Sequence, residues 1–328
     1  MRIFVTGSTG YIGQKLVQQL VKNGHEIVAL YRSETKKKLL YLKNVIPVKG
    51  DILDYASLVK AMDKCDQVYH VASFAGVWTN NTYSVYKTIV LGSLNVIRAA
   101  QMCNINRIVI TSTAGVLGPS KDDIVTNENV PDPGDFYSDY ESAKFILENV
   151  IRTRNNMKPE IILVNPTRVY GPGQLSESNG VTKMIIRYVQ GKWTVVPGNG
   201  LSVGNYTFID DVVTGHILAM EHGTPGERYI LGGESVSFNT LFAKLRKVSM
   251  VHGKNLHIPL IFAIPVARLM LFLANTFGIK PLIVPGLIKK FTTNWIVSSE
   301  KAEKELNYKI TPLEEGLAKT IDWIGNPV

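Results

Sequence analysis

The stretch RIFVTGSTGYIG, residues 2–13, runs from a short apolar segment into three evenly spaced glycines, Gly7, Gly10 and Gly13. Behind it, YIGQKLVQQLVKNG sets Ile12, Leu16, Val17, Leu20 and Val21 on one face of a helix that Gly24 closes. Strand, glycine turn and amphipathic helix, in that order, make a cradle for phosphate. Gly7 permits the tight turn. Gly10 lets the backbone approach a pyrophosphate with no Cβ between them, and Gly13 lets the helix lie close on the strand. The start of the helix adds unpaired N–H groups and the positive end of its dipole. Thr9, Tyr11 and Ile12 complete the set of residues expected against the phosphates.

Downstream the same alternation repeats. EIVALYR, NVIPVKGD, DQVYHVAS and NRIVITST are strand-like. Between them lie the helix-like YASLVKAMDKC and a helical segment from about Tyr83 to Met102. Strands that alternate with helices imply parallel β-α-β units with right-handed crossovers, hence an α/β, doubly wound parallel sheet. A sixth strand, EIILVNPTRVYGPG, ends in a Pro/Gly-rich loop, after which the alternation loosens. The expected division is a dinucleotide-binding domain over 1–165 and a smaller α/β substrate lobe over 166–328. The segment ERYILGG reads as a strand near 227–232 returning to the main sheet, so the two lobes should interleave.

The end of the second strand bears on which dinucleotide is held. An acidic residue there would bind a ribose 2′-hydroxyl. This chain has Tyr31, Arg32 and Ser33, followed by Lys36, Lys37 and Lys38. Arg32 can clamp a 2′-phosphate with a charge-assisted fork and Ser33 can add a hydroxyl, which favours NADP(H) over NAD(H). Asp51, with Ile52 beside it, ends the third strand where a carboxylate can accept from the adenine amino group.

The motif YESAK carries Tyr140 and Lys144 four residues apart, on one face of a helix. A free phenol has a pKa of about 10 and is a poor base near neutrality. A neighbouring ammonium and a cationic nicotinamide both favour phenolate, so the pair suits proton exchange with a carbonyl or alcohol oxygen. Lys144 would also hold the ribose hydroxyls of the cofactor. The fifth strand ends in Thr111, Ser112 and Thr113, which can supply the hydroxyl that orients the substrate oxygen.

Taken together, TGSTGYIG, VYHVAS, ITSTAGVLG, YESAK, NPTRVYGPG, YTFIDDVV and SSEKAEKELNY resemble an extended short-chain dehydrogenase/reductase over nearly the whole chain. The likeness is greatest to the branch of dihydroflavonol reductases and 3β-hydroxysteroid dehydrogenases. VWTNNTYSVYK and GERYILGGE look most like its hopanoid-associated sugar epimerase-like members. The resemblance implies a Rossmann fold and the catalytic set Thr113, Tyr140 and Lys144. It also implies contacts near the nicotinamide from Ala72, Pro166 and Val169. One departure is Ile89, which stands where the family pattern has an Asn that supports a structural water and the lysine. Relatives are often dimers through two helices of the main domain, so a homodimer is compatible with the resemblance.

Bulk properties narrow the partners. The net charge of +9 is spread without the Lys/Arg and aromatic density of a nucleic-acid groove. Six histidines form no HExxH or close ligand cluster, so no metal is expected. His70, inside an apolar strand, reads as a satisfied core residue. Cys65 and Cys103 fit no ligand pattern and read as free thiols in a reducing compartment. The chain enters its first strand directly, which points away from a secretory leader and toward the cytoplasm. Residues 258–274, IPLIFAIPVARLMLFLA, are apolar but broken by Pro259, Pro265 and Arg268. A buried helix of the second lobe is the favoured reading, over a helix resting on a membrane surface with help from Lys280, Lys289 and Lys290. The expected activity is an NADP(H)-dependent interconversion of carbonyl and alcohol on a small, apolar substrate. The alternatives are a nucleotide-sugar epimerase or dehydratase, and a non-catalytic NADP-sensing module.

Overall fold

Alternation along the central strands decides the layering. In Arg2–Thr6 (β1), Phe4 faces one side of the sheet while Ile3 and Val5 face the other, and all three are fully buried. The computed structural model describes residues 1–325 apart from 75, 77, 123, 131–135 and 154–157. The remaining strands are Glu26–Tyr31 (β2), Val45–Lys49 (β3), Gln67–His70 (β4), Arg107–Thr111 (β5) and Glu160–Pro166 (β6). They continue with Arg168–Tyr170 (β7), Thr194–Pro197 (β8), Val203–Phe208 (β9), Arg228–Leu231 (β10), Glu234–Ser237 (β11) and Asn255–Ile258 (β12).

Seven of these strands form one parallel sheet in the order β10-β6-β5-β4-β1-β2-β3. Helices cover both of its faces, as a doubly wound parallel sheet requires. On one face Phe4, Val28, Val68, Ile108 and Leu163 pack with Leu58, Val96 and Leu147. On the other, Ile3, Val5, Ile27, Val109 and Ile162 pack with Leu16, Leu20 and Val212. Each such side chain contributes roughly 1.5–3 kcal/mol on leaving water.

The second lobe has its own small sheet, β11-β9-β7, and a two-stranded ribbon of β12 and β8. Its core is aromatic, built on Tyr170, Tyr188, Phe208, Phe238 and Phe242. The sixth strand read from sequence is split in two. Pro166 ends β6, and one residue later β7 pairs with β9 of the small sheet. β10 closes the edge of the large sheet beside β6, register Arg228↔Leu163 to Leu231↔Pro166. The helix expected over 83–102 contains a π turn, Lys87–Leu91, between the helices Thr82–Tyr86 and Gly92–Met102. Cys65 and Cys103 are free thiols.

One expectation is overturned. The apolar segment after residue 258 forms a helix, Leu260–Phe277, that is not buried: only Ala267 and Ala274 lie inside. Its apolar positions run almost all round the helix, so periodicity alone did not say how much of it the lobe covers.

Candidate active site

The glycine turn between β1 and the helix Tyr11–Lys22 is tight enough to exclude side chains. Gly7 adopts φ +68°, and a Cβ there would stand 2.6 Å from the Ala72 amide nitrogen. The Gly7 carbonyl accepts the Gly10 N–H at 2.8 Å. A Cβ on Gly13 would stand 2.7 Å from the Gly7 carbonyl carbon and closer still to its oxygen. Gly10 is the N-cap, no side chain caps the helix, and its first turn holds no acidic residue. Uncapped N–H groups with no carboxylate in the first turn suit a dinucleotide pyrophosphate, so the loop fits the group the sequence implies. Thr9 and Ile12 are partly buried in the loop and first turn. The Tyr11 side chain turns away, and its hydroxyl donates to the Gly171 carbonyl at 2.9 Å. Only its backbone can serve the loop.

The adenosine end is set by the termini of β2 and β3. Arg32 has a side chain 79% exposed, and its Nη1 lies 3.8 Å from Asp51 Oδ2. Asp51 also accepts the Leu53 N–H at 2.9 Å. Ser33 and Thr35 share a hydroxyl hydrogen bond of 2.7 Å. Ile52 is buried against Gly92, and its carbonyl accepts from Asn95 Nδ2 at 3.1 Å.

Ala72 is fixed by a directed chain of hydrogen bonds. Its N–H donates to Thr6 Oγ1 at 3.2 Å, and Thr6 donates to His70 Nδ1 at 2.7 Å. On the other ring nitrogen, His70 Nε2–H donates to Ser93 Oγ at 2.8 Å, and Ser93 donates to the Ile89 carbonyl at 2.6 Å. The imidazole is therefore neutral and protonated at Nε2. Burial, assisted by the Lys144 charge, lowers its pKa to about 3. His216 is the mirror case. Its Nδ1–H donates to the Val212 carbonyl and its Nε2 accepts from Thr111, and burial lowers its pKa to about 4. Unfolded imidazoles take up protons near pH 6.5, whereas these two resist until far lower pH. Stability is thus full above about pH 6.5 and falls as pH drops toward 4. Between pH 7 and 5 each histidine should remove roughly 2 kcal/mol. Urea unfolding at the two pH values should show this loss, and His216→Asn should shrink it.

The reacting end lies on the helix Asp139–Arg152. Ser138 caps it, accepting the Glu141 N–H, and Glu141 Oε2 accepts the Tyr137 N–H in return at 3.1 Å. Such a reciprocal start fixes where Tyr140 and Lys144 emerge, one turn apart. Lys144 is 1% exposed, and its Nζ donates to the Thr111 carbonyl at 2.7 Å. Burial lowers its pKa to about 8, against the Glu148 carboxylate, which raises it. Ile89, at the position of the family Asn, is buried in apolar contacts, and Lys144 donates its hydrogen bond to the β5 backbone. Tyr140 is pushed up to about 12 by burial, with the nearby Ser73 hydroxyl pulling the other way. Ser73 Oγ is itself buried with no satisfied hydrogen bond. The expectation that Lys144 lowers the phenol is not met here. The ammonium is directed to Thr111, and the loss of water around the ring dominates.

Thr113 lies two residues beyond the end of β5, and its Oγ1 accepts the Gly115 N–H at 3.1 Å. Asn165 Nδ2 bonds both the Thr113 carbonyl, at 3.1 Å, and Glu148 Oε1, at 2.7 Å. Arg228 Nη1 pairs with Glu148 Oε2 at 3.3 Å, so a buried ion pair braces the site from behind. Ser112 Oγ and Thr167 Oγ1 are buried without partners. Thr113, Pro166 and Thr167 line a small cavity of about 50 Å³ with Arg168, Lys290 and Trp295. Val169 lies just beyond, partly buried between the second-lobe aromatics and the main sheet.

Arg168, Lys290 and Trp295 were not found from sequence. Arg168 sits 5.3–5.8 Å from the rings of Tyr206, Phe238 and Phe291 and donates to the Lys290 carbonyl at 3.2 Å. Lys290 pairs with buried Glu141, in the YESAK motif itself. The acidic residue of that motif was the available signal, because a buried carboxylate needs a cation from elsewhere.

Residues 3–232 match the family described as NAD dependent epimerase/dehydratase. A Synechocystis sp. protein with the provisional name dihydroflavonol 4-reductase is 27% identical over 328 residues, covering 98% of this chain and 94% of that protein. The 2-alkyl-3-oxoalkanoate reductase of Stenotrophomonas maltophilia is 30% identical over 253 residues, covering 75% and 74%. Among solved structures, UDP-glucose 4-epimerase of Thermotoga maritima superposes with a TM-score of 0.82 at 23% identity, covering 99% of each chain. That likeness establishes the fold.

Proposed function

The chain belongs to the NAD dependent epimerase/dehydratase family of extended short-chain dehydrogenases/reductases, and from that membership we propose that it is an NADP(H)-dependent reductase of a small, apolar ketone or aldehyde. The observation that carries the reading is the pairing of Tyr140 with a buried Lys144 one turn away on the same helix, whose Nζ donates to the Thr111 carbonyl at the end of β5. A phenol that keeps its proton across the neutral range is ready to act as a general acid. Reductase names among the relatives support the same direction.

In this reading Gly7, Gly10, Gly13 and the helix start hold the pyrophosphate, and Arg32 holds a 2′-phosphate. Ala72, Pro166 and Val169 bound the nicotinamide, which when present supplies the hydride. Thr113 and Ser112 offer hydroxyls to orient the carbonyl oxygen. Tyr140 passes its proton to that oxygen, while Lys144, one turn away, stays hydrogen-bonded to the Thr111 carbonyl. Lys290 and Trp295 line the cavity on the Thr113 side.

The test is turnover of a panel of ketones and aldehydes with NADPH and NADH. NADPH should be preferred, and Arg32→Asp should reduce that preference by roughly 10–100-fold, the size of one hydrogen-bonded charge. Equal use of both cofactors by the wild-type protein would remove the NADP assignment. A dinucleotide that co-purifies and survives gel filtration would instead support an epimerase, which regenerates its cofactor in place.

A further inference from the structure

The helix Leu260–Phe277 is long and apolar enough to cross a membrane by length and composition, yet almost none of it is buried. Ile261, Phe262, Leu269 and Phe272 are 75%, 66%, 58% and 61% exposed, and Leu282 just beyond is 88% exposed. The strand β12 leads straight into this helix. On its ribbon, Leu256 lies opposite Val195 in register, and both are exposed, as is Trp193 before them. Soluble proteins rarely leave so much contiguous apolar surface without a use.

Charge is distributed just as unevenly. Between residues 235 and 299 there are eight Lys or Arg and no Asp or Glu, in a chain whose whole net charge is +9. Lys254 lies 5.6 Å from the exposed Trp193 ring. Arg268 projects from the middle of the exposed helix, and Lys280 follows its end, where it pairs with Glu177. Apolar side chains flanked by Lys254 and Arg268, neither of which is in an ion pair among the described residues, complement an anionic lipid surface. A second copy is a poorer match, since a two-fold contact would bring the same cations face to face.

We propose that this face docks the protein onto an anionic bilayer, with the helix lying in the interface. It does not cross. Before it, β12 is paired with β8. After it, the helix Pro285–Thr292 is tied to the Tyr140 helix through Lys290 and Glu141. Both ends are therefore anchored to the same folded body, whereas a crossing helix would set them about 30 Å apart on opposite sides of the bilayer. Pro265 and Arg268 at its centre also suit an interface better than a hydrocarbon core.

The test is sedimentation of the whole protein with vesicles of phosphatidylcholine, with and without about 30% phosphatidylglycerol. Binding should require the anionic lipid and weaken in about 0.5 M salt. Phe262→Ser with Phe272→Ser should weaken it at least about tenfold, and Arg268→Glu alone severalfold. Circular dichroism should show both variants folded. If the double variant misfolds, the exposed Arg268→Glu carries the test. No sedimentation of the wild type, or equal recovery of wild type and variants, would overturn the proposal. A lipid-free dimer in sedimentation velocity that the variants split into monomers would also overturn it, by placing a second copy on this face.

Discussion

Tyr140→Phe will lower carbonyl reduction by about 10²–10⁴-fold, the usual range for loss of a positioned general acid. The substitution removes one oxygen and leaves the ring, which packs against the core beneath the sheet, so the fold and the glycine loop should be unaffected. Dinucleotide affinity, followed by fluorescence titration, should change by less than about threefold, because the proton-transfer atom is not the main binding contact. Deletion of the hydroxyl also leaves Ser73 without the neighbour it faces, a small additional cost. Turnover that survives within a factor of about three would show that another group supplies the proton.

Gly13→Ala should damage the other end of the site as severely. Its methyl group would meet the Gly7 carbonyl, which already accepts the Gly10 N–H and so fixes the turn. Neither partner can yield cheaply, because both are backbone within a turn pinned against Ala72. We expect a loss of about 3 kcal/mol, divided between stability and roughly 100-fold weaker dinucleotide binding. Gly180→Ala is the matched control, since a Cβ there meets nothing within 4 Å. Thermal melts and dinucleotide titration of both variants give the comparison. Equal behaviour of the two would show that the loop is more yielding than its geometry indicates.

What was legible in the sequence was local. The glycine turn, the strands of the large sheet and the pairing of Tyr140 with Lys144 on one helix depend on neighbours within a few residues. Residue spacing reports those directly. What stayed hidden depends on topology or solvent. Arg168 meets Lys290 and Trp295 at one cavity from a position over 100 residues away. The phenol of Tyr140 is governed by burial more than by the lysine next to it in the motif. The helix after residue 258 was read as core because its composition is that of core. Only the arrangement of the lobe shows that its apolar side chains face outward.

The switch at Pro166 bears on how the protein is made. The chain leaves the large sheet there, builds three strands of the second lobe, and returns only at Arg228 to lay β10 beside β6. During synthesis from the N-terminus, the edge of β6 therefore stays open for some sixty further residues. An unpaired edge is a template for wrong partners, and ribosomes add about 5–20 residues each second. For several seconds the nascent chain is thus vulnerable to mispairing with its neighbours on a polysome, a window that ends when residue 231 emerges from the exit tunnel.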